Sequence, residues 1–185
     1  IYVVFHECSF LSNNFTVYTL DARNHGKSPH SEVFTYEAMR EDVLEFMDDK
    51  KISSANLIGH SMGGKTAMHF ALDYPDRTNK LIVVDKSPKE YGNVHEKIFK
   101  ALFALPLEKI QSRIEADKFL SEEIKNFDLR QFLLQKLGRD ENGKFFWRMN
   151  LPFIFNGYFN INKSISTGKT FTNPVLFIKG GNSNY

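Results

Sequence analysis

The stretch ANLIGHSMGGKTAMHF, residues 55–70, places Ser61 between glycines where a β-strand meets a helix. Leu57 and Ile58 end an apolar run that is typical of a buried strand, and the residues after Ser61 can form a helix. A strand that turns into a helix this abruptly forces the residue at the apex toward positive φ. Such a conformation costs about 1–3 kcal/mol for a non-glycine residue and is usually retained where a function requires it. We therefore predict a positive φ and a functional role for Ser61.

Residues 59–63, Gly-His-Ser-Met-Gly, match the G-x-S-x-G motif of a nucleophile elbow. In this motif the two glycines let the strand and the helix approach each other without a Cβ clash. The alternative is a plain glycine-rich turn, since five residues alone match easily by chance. The preceding strand, the additional Gly64 and the helix that begins directly afterwards favour the elbow. We therefore predict that the Ser61 hydroxyl points outward and that the backbone N–H of Met62 points toward an oxyanion.

Composition and charge exclude several classes of protein. The 185 residues fit one globular domain, and the 24 basic and 22 acidic side chains are scattered, so nucleic acid is not an expected partner. The single cysteine, Cys8, excludes an intrachain disulfide and a multi-cysteine zinc site and fits a reducing compartment. No apolar run approaches the roughly 18 residues that a membrane span requires. The chain begins at Ile1 in a strand-like run, so no signal peptide or transit peptide is visible, and a missing start is one interpretation.

Strand patterns alternate with helix patterns in the first half of the chain. The strands are predicted at residues 15–21, 55–60 and 80–85, with one helix capped by Thr35 and another after Ser61 that ends near Tyr74. This order predicts a parallel sheet and the α/β class. Residues 87–172 carry helical patterns instead, and residues 173–182 restore the pattern of a buried strand. We predict a single domain over residues 1–185 with a helical cap inserted at 87–172.

A serine hydroxyl is a weak nucleophile, so it needs a histidine base and a carboxylate that orients the imidazole. Asp85 is the strongest candidate for the carboxylate, because it follows an apolar strand at the sheet edge where sites collect. The alternative is a solvent-facing aspartate that caps the loop after the strand. Asp21 also ends a strand, but it precedes the elbow and Arg23 is placed to pair with it. We interpret Asp21 as structural.

Five stretches carry a resemblance to a known family: residues 21–29 (DARNHGKSP), 57–65 (LIGHSMGGK), 75–91 (PDRTNKLIVVDKSPKEY), 130–137 (RQFLLQKL) and 175–185 (VLFIKGGNSNY). The chain resembles the α/β-hydrolases and, within them, the small esterases of the abhydrolase domain-containing protein 11 type and their bacterial relatives. The resemblance runs from about Phe15 to the last residue. It implies an α/β-hydrolase fold with a mostly parallel sheet, flanking helices and a helical cap, truncated at the C-terminus, with truncation at the N-terminus left open.

The resemblance also implies roles for individual residues. Ser61 corresponds to the nucleophile, the Met62 N–H to one oxyanion donor and Asp85 to the triad acid, while Ser183 corresponds to an auxiliary polar contact near the site. In many α/β-hydrolases the acid follows a later strand, which here ends at Gly181. The residues after it, Asn182 and Ser183, carry no carboxylate, which favours Asp85. No cofactor or metal is implied.

Two departures from the family pattern stand out. In this fold the catalytic histidine follows the last strand, which places it beyond Tyr185, so the 185 residues are expected to lack it. The six histidines present are interpreted as surface or packing residues, with His25 or His95 swinging toward Ser61 as the remaining alternative. Near the start, His6 is followed by Glu7 where the family has His-Gly in the loop that supplies the second oxyanion donor. Either this start is divergent or the chain is a fragment.

Two functions remain open. The first is a serine hydrolase of carboxylic esters or acyl thioesters that works through an acyl-enzyme, with a small acyl substrate as its partner. The second is a non-catalytic module that binds a ligand or a protein in the same pocket. The resemblance implies an intracellular protein, cytoplasmic or mitochondrial. Apolar residues of the insertion either line an acyl cleft or pack the cap on the core: Phe99, Leu102, Phe103, Leu105, Phe132, Leu133, Phe146 and Trp147.

Overall fold

The structure is a computed structural model that describes residues 2–4, 9–92 and 95–183. The strands of the described residues are β1 (Tyr2–Val4), β2 (Val17–Thr19), β3 (Ala55–His60), β4 (Thr78–Val84), β5 (Leu137–Arg139), β6 (Phe145–Trp147) and β7 (Val175–Ile178). The α-helices are α1 (Tyr36–Asp49), α2 (Met62–Asp73), α3 (Glu96–Ala104), α4 (Arg113–Leu120), α5 (Phe127–Leu134) and α6 (Leu151–Gly157).

Five of the strands form one parallel sheet in the order β2-β1-β3-β4-β7. Strands β3 and β4 occupy its centre, and α2 connects them, because parallel neighbours need a crossover between them. The α/β class and the parallel pairing predicted from the sequence are thus confirmed. The first predicted strand, residues 15–21, is shorter in the structure and spans only Val17–Thr19.

Helix α1 contributes to two separate hydrophobic clusters. Thr35 caps it, since the Thr35 hydroxyl accepts a hydrogen bond from the backbone N–H of Ala38, 3.2 Å away. The sheet core comprises Val43, Met47, Ile52, Ala55, Leu57, Ala67, Met68, Phe70, Ala71, Leu81 and Val83. The insertion core comprises Phe34, Tyr36, Met39, Phe99, Ala101, Leu102, Leu105, Ala116, Leu120, Ile124, Leu134, Leu137, Phe145, Leu151, Ile154 and Tyr158. The first turns of α1 therefore pack against the insertion, and its later turns pack against the sheet.

The predicted insertion holds four helices, α3 to α6, together with an antiparallel pair of strands, β5 and β6. This hairpin was not predicted from the sequence, although the turn between its strands contains Asn142-Gly143, with a φ of 77° at Gly143. Of the apolar residues proposed to line a cleft, five belong to the insertion core or pack against it: Phe99, Leu102, Leu105, Leu133 and Trp147. Phe103, Phe132 and Phe146 are exposed. That residues 87–172 form a cap over the active site stays a prediction.

Strand β7 differs from its prediction as a buried strand. Its four apolar side chains are 40–54% exposed. The physical reason is that its side chains pack in neither hydrophobic cluster of the described residues, where β4 is its sheet partner. None of the helices in the described residues, 2–4, 9–92 and 95–183, is long and apolar enough to cross a membrane.

Close approach of strand β3 to helix α2 depends on two glycines. A Cβ at Gly59 would lie 2.3 Å from the carbonyl oxygen of Gly63, and one at Gly64 would lie 2.8 Å from that of Gly59. Both obstacles are backbone atoms, which cannot rotate away as a side chain can. Gly59, the first glycine of the motif, and Gly64, which directly follows the motif, are therefore required by the geometry of the strand-to-helix turn.

This geometry gives a first testable prediction. Gly59→Ala should lower the free energy of unfolding by about 3 kcal/mol or more, because the backbone has to shift to admit the methyl group. Gly92→Ala serves as the control, because no described atom lies within 4 Å of a Cβ there, and it should change stability by less than about 0.5 kcal/mol. Denaturant unfolding followed by circular dichroism measures both. Equal midpoints for the two variants would contradict the proposed close packing.

Candidate active site

Ser61 occupies the junction between β3 and α2 with φ 50° and ψ −117°. The positive φ predicted from the sequence is observed. The Ser61 backbone N–H donates to the carbonyl oxygen of Val84 at 2.9 Å, which ties the apex of the turn to the end of β4. In the part of the chain that the structure describes, the half-buried Ser61 hydroxyl has no hydrogen-bond partner. The strained backbone thus presents a hydroxyl that is not engaged in holding the fold together.

Met62 is the first residue of helix α2, so its backbone N–H has no acceptor within the helix. The first N–H groups of a helix carry partial positive charge, which suits an anion near the serine. The Met62 side chain packs against the insertion core. Its geometry is compatible with the predicted role as an oxyanion donor. The loop predicted to hold a second donor, at His6 and Glu7, falls outside the described residues.

Asp85 follows β4 directly and also has a positive φ, 52°. Its backbone N–H donates to the carbonyl oxygen of Ile178 at 2.7 Å, and its Oδ1 accepts from the N–H of Gly180 at 3.1 Å. Asp85 is therefore held by the last residue of β7 and by the loop that follows it. This is the environment of a fixed carboxylate, unlike the freely solvated loop cap that the sequence also allowed.

Ser183 lies beside this carboxylate. A hydrogen bond from the Ser183 side chain is the largest cause that lowers the pKa of Asp85, and the Gly180 N–H and the nearby charges of His60 and Lys179 lower it further. Partial burial opposes these effects. The backbone N–H of Ser183 donates to the Gly180 carbonyl oxygen at 3.0 Å, which closes the loop around Asp85. Ser183 thus contacts Asp85, and its auxiliary role in the site stays a prediction.

The contact from Ser183 leads to a second prediction. Ser183→Ala should raise the pKa of Asp85 toward its ordinary value, because the carboxylate loses its strongest donor. Stability contributed by the lowered pKa is present above the pKa of the unfolded state and is lost as the pH falls through that of the folded state, so the variant should lose less on acidification. Carbon-detected NMR titration of the Asp85 carboxyl measures the shift. An unchanged pKa would contradict the contact.

Ser61 and Asp85 directly follow the carboxyl ends of two neighbouring strands, β3 and β4. The residues that precede them, His60 and Val84, are paired in the β3–β4 ladder. Neighbouring strands are about 5 Å apart, so the backbones of Ser61 and Asp85 are side by side. The catalytic roles of Ser61, Met62 and Asp85 remain predictions, and this geometry is compatible with them.

The described histidines are engaged away from the Ser61 hydroxyl. The ring of His25 contacts the carbonyl oxygen of Arg23 at 3.0 Å, and that of His69 stacks on Tyr36 with centroids 5.2 Å apart. His95 Nδ1 lies 2.5 Å from the Tyr158 hydroxyl. Burial is the largest cause that lowers the pKa of His25, His69 and His95. These contacts fit the interpretation of packing histidines.

The other described histidines, His30 and His60, also fit the interpretation of surface or packing residues. His30 Nδ1 lies 3.3 Å from the Asn150 amide nitrogen, and His60 ends strand β3 just before the nucleophile position. His6 falls outside the described residues. The structure therefore brings Ser61 and Asp85 together without placing a described histidine against the serine hydroxyl.

The sequence-based pairing of Arg23 with Asp21 is wrong. Arg23 forms a two-point ion pair with Asp42, with N–O distances of 2.6 and 2.7 Å. Asp21 instead accepts from the backbone N–H of Lys27 at 3.0 Å, and its carbonyl oxygen accepts from the Ser28 hydroxyl at 2.7 Å. The α1 helix brings Asp42 to the guanidinium from 19 residues away, a contact that spacing along the chain does not reveal. Asp21 still has a structural role, as a stabiliser of its loop.

Two lysines near the site were missed in the sequence. Lys65 is completely buried on α2, and Lys86, next to Asp85, places its Nζ 3.9 Å from the centre of the Tyr91 ring. Burial lowers the pKa of each to about 8. The signal for Lys65 was its place among small and apolar residues in the helix after Ser61.

Among the residues that the structure describes, no cluster of three or more His, Cys, Asp or Glu side chains could hold a metal ion.

Comparison with known proteins defines the family. Residues 4–184 match the alpha/beta hydrolase fold. The chain belongs to the α/β-hydrolase fold family. This α/β-hydrolase has 38% sequence identity to a solved structure described as a marine microorganism esterase, with a TM-score of 0.89 over 97% of this chain and 76% of that one. The family and the fold implied by the resemblance are confirmed.

Curated relatives of this α/β-hydrolase include animal and bacterial proteins. It is 41% identical over 175 residues to the sn-1-specific diacylglycerol lipase ABHD11 of Xenopus laevis, a match that covers 91% of this chain and 56% of the lipase. It is 35% identical over 178 residues to Esterase YbfF of Escherichia coli, covering 95% of this chain and 67% of the esterase. A Haemophilus influenzae relative is 43% identical over 175 residues, and the chain spans 60% of its length.

Proposed function

We propose that the protein to which this chain belongs is a serine hydrolase that cleaves carboxylic esters or acyl thioesters through an acyl-enzyme on Ser61. The single observation that carries the proposal is the pairing of two strained residues at one sheet edge. Ser61 and Asp85 both have positive φ, and the Ser61 N–H donates to the residue that precedes Asp85. Strained non-glycine residues that persist next to each other are typical of functional sites.

In this mechanism the Ser61 hydroxyl attacks the acyl carbon, and its proton passes to an imidazole held between Ser61 and Asp85. The Asp85 carboxylate, fixed by Gly180 and Ser183, orients that imidazole and stabilises its positive charge. The Met62 N–H donates to the oxyanion as the tetrahedral intermediate forms. The leaving alcohol or thiol takes the proton back from the imidazole, and water then releases the acyl group by the same route. No metal or cofactor enters this sequence of steps.

The names of the relatives support ester substrates. Several are named esterases, and the Xenopus laevis relative is named a diacylglycerol lipase. In this chain the side chain of Met62, the residue after Ser61, packs against the apolar insertion core, and we propose that this apolar region borders the acyl site. Such a region favours an acyl chain over a sugar or a phosphate. We therefore propose small acyl esters or thioesters as substrates, with the acyl group under the insertion.

The substrate class is tested on the full-length protein with p-nitrophenyl acetate, butyrate and dodecanoate, an acyl thioester, and p-nitrophenyl phosphate as the charged comparison. The expected result is turnover of the acyl compounds and none of the phosphate monoester. Hydrolysis of the phosphate with equal efficiency would contradict the proposed acyl specificity. Absence of turnover on every acyl compound would contradict the hydrolase itself.

A second candidate is a non-catalytic module that binds an acyl ligand in the same pocket. The observation that favours it is the position of the described histidines, which contact groups other than the Ser61 hydroxyl. Assaying the 185-residue chain beside the full-length protein separates the two. The hydrolase proposal predicts Ser61-dependent turnover by the full-length protein. Equal turnover by the short chain would show that one of its own histidines is the base.

A further inference from the structure

Lys65 is the most unusual charged residue of the described chain. Its side chain is 0% exposed, and its Nζ donates to the carbonyl oxygen of Lys89 at 2.8 Å and to that of Lys163. The rings of Tyr36 and Tyr91 lie 5.6 and 5.3 Å from the same nitrogen. The ammonium group is thus surrounded by two carbonyl oxygens and two aromatic faces, all of which attract a cation.

The two carbonyl groups belong to the segments through which the chain enters and leaves the insertion. We define the neck as residues 88–91 and 162–165. The two segments hydrogen-bond to each other, since the Tyr91 N–H donates to Asn162 O at 2.9 Å and the Ile165 N–H donates to Pro88 O at 2.8 Å. Lys65 adds a third connection, which joins both segments to the helix that begins directly after Ser61.

The lysine lies in an unfavourable place for a positive charge. Burial lowers its pKa to about 8, and Glu90 is the carboxylate whose charge opposes this. The charge of Lys65 in turn lowers the pKa values of Lys86 and His69. It also lies one turn into α2, near the positive end of the helix dipole. An apolar residue of the same length would avoid the cost of burial, the repulsion from Lys86 and His69, and the unfavourable helix dipole. We therefore attribute the presence of a cation at this position to its contacts with the neck.

We propose that Lys65 is a positioning residue: it joins both segments of the neck to the nucleophile helix and thereby holds the insertion over Ser61. This inference rests on the proposed hydrolase function, because its consequence is the shape of the acyl site. Two packing contacts connect the insertion with Lys65 and with the residue after Ser61. Tyr36, against which Lys65 packs, and Met62, which follows Ser61, both pack in or against the insertion core.

The structural part of the proposal is tested by hydrogen–deuterium exchange on the full-length protein. Lys65→Met removes the donors at nearly constant length, so the Tyr91 and Ile165 amides should exchange about tenfold faster or more, because two neck carbonyls lose their partner. Lys65→Arg retains the charge and N–H donors and should restore most of the protection. Val43→Ala, in the sheet core, is the control for general destabilisation and should leave the relative protection of the neck unchanged.

The functional part is tested with esters of different length. For Lys65→Met we expect kcat/KM on p-nitrophenyl dodecanoate to fall about tenfold, mainly through a higher KM, with the acetate ester within about twofold of wild type. Lys65→Arg should recover the dodecanoate value. An equal loss on both esters would indicate general destabilisation and would overturn the proposal.

The outcomes separate the inference from the proposed function. Unchanged exchange in the neck of Lys65→Met contradicts the positioning role, whatever the activity. Faster exchange without the dependence on chain length contradicts it as well. Absence of Ser61-dependent turnover in the wild type contradicts the hydrolase, while the exchange experiment still decides whether Lys65 holds the neck. If Lys65→Met does not fold, Lys65→Gln carries the same measurements, because its shorter polar side chain cannot reach both carbonyls.

Discussion

Ser61→Ala should reduce ester turnover by the full-length protein by about 10⁴- to 10⁶-fold, because the acyl-enzyme can no longer form. The substitution removes a hydroxyl that has no hydrogen-bond partner in the described residues, so the fold should be retained. Alanine also tolerates the backbone position about as well as serine does. The measurement is kcat/KM on p-nitrophenyl butyrate, with thermal unfolding as the check on folding.

The matched control for this variant is Ser53→Ala, an exposed serine in the loop before β3. It should change kcat/KM by less than about twofold, since surface substitutions of this kind have small effects. Residual turnover of more than a tenth of the wild-type value in folded Ser61→Ala protein would show that another group carries the reaction.

Asp85→Asn should reduce kcat by about 10³- to 10⁴-fold. The amide has the size of the carboxylate but carries no charge, so it neither stabilises an imidazolium nor fixes the tautomer that accepts the serine proton. The loss should fall on kcat more than on KM, because the charge matters in the transition state. Steady-state kinetics on the same ester measure the two constants separately.

Asp49→Asn is the control for the loss of one negative charge, because Asp49 is exposed at the end of α1. It should leave kcat within about twofold of wild type. A similar small effect of Asp85→Asn would assign the triad acid elsewhere and leave Asp85 as a stabiliser of the loop after β7. The Ser183→Ala titration described above then becomes a test of that loop alone.

The parts of the fold that the sequence predicts are those with a strong local cause. The strand before Ser61, the positive φ of Ser61 and the cap at Thr35 each follow from neighbouring residues: the G-x-S-x-G motif fixes the turn, and the Thr35 hydroxyl accepts from an N–H three residues away. The place of Asp85 beside Ser61 was predictable for a similar reason, because parallel strands end on a common side of the sheet, while its catalytic role stays a prediction.

The parts that the sequence did not predict depend on distant contacts. Arg23 pairs with Asp42 through the docking of α1, and Lys65 meets a carbonyl 98 residues away in the chain. The exposure of β7 was missed because an apolar run does not reveal which other elements of the 185 residues cover its strand. The β5–β6 hairpin was missed because its strands are only three residues each, too short for a period-2 pattern.

The central claim is that Ser61 becomes acylated. The most direct measurement is peptide mass spectrometry of the full-length protein treated with an alkyl fluorophosphonate, which reacts with activated serines, and of protein quenched with acid during turnover of p-nitrophenyl butyrate. The account predicts a stoichiometric adduct on the peptide that contains Ser61 and a butyryl group on the same residue, both lost in Ser61→Ala and reduced in Asp85→Asn. Adduct on another residue, or full turnover with Ser61 unmodified by either reagent, would contradict it.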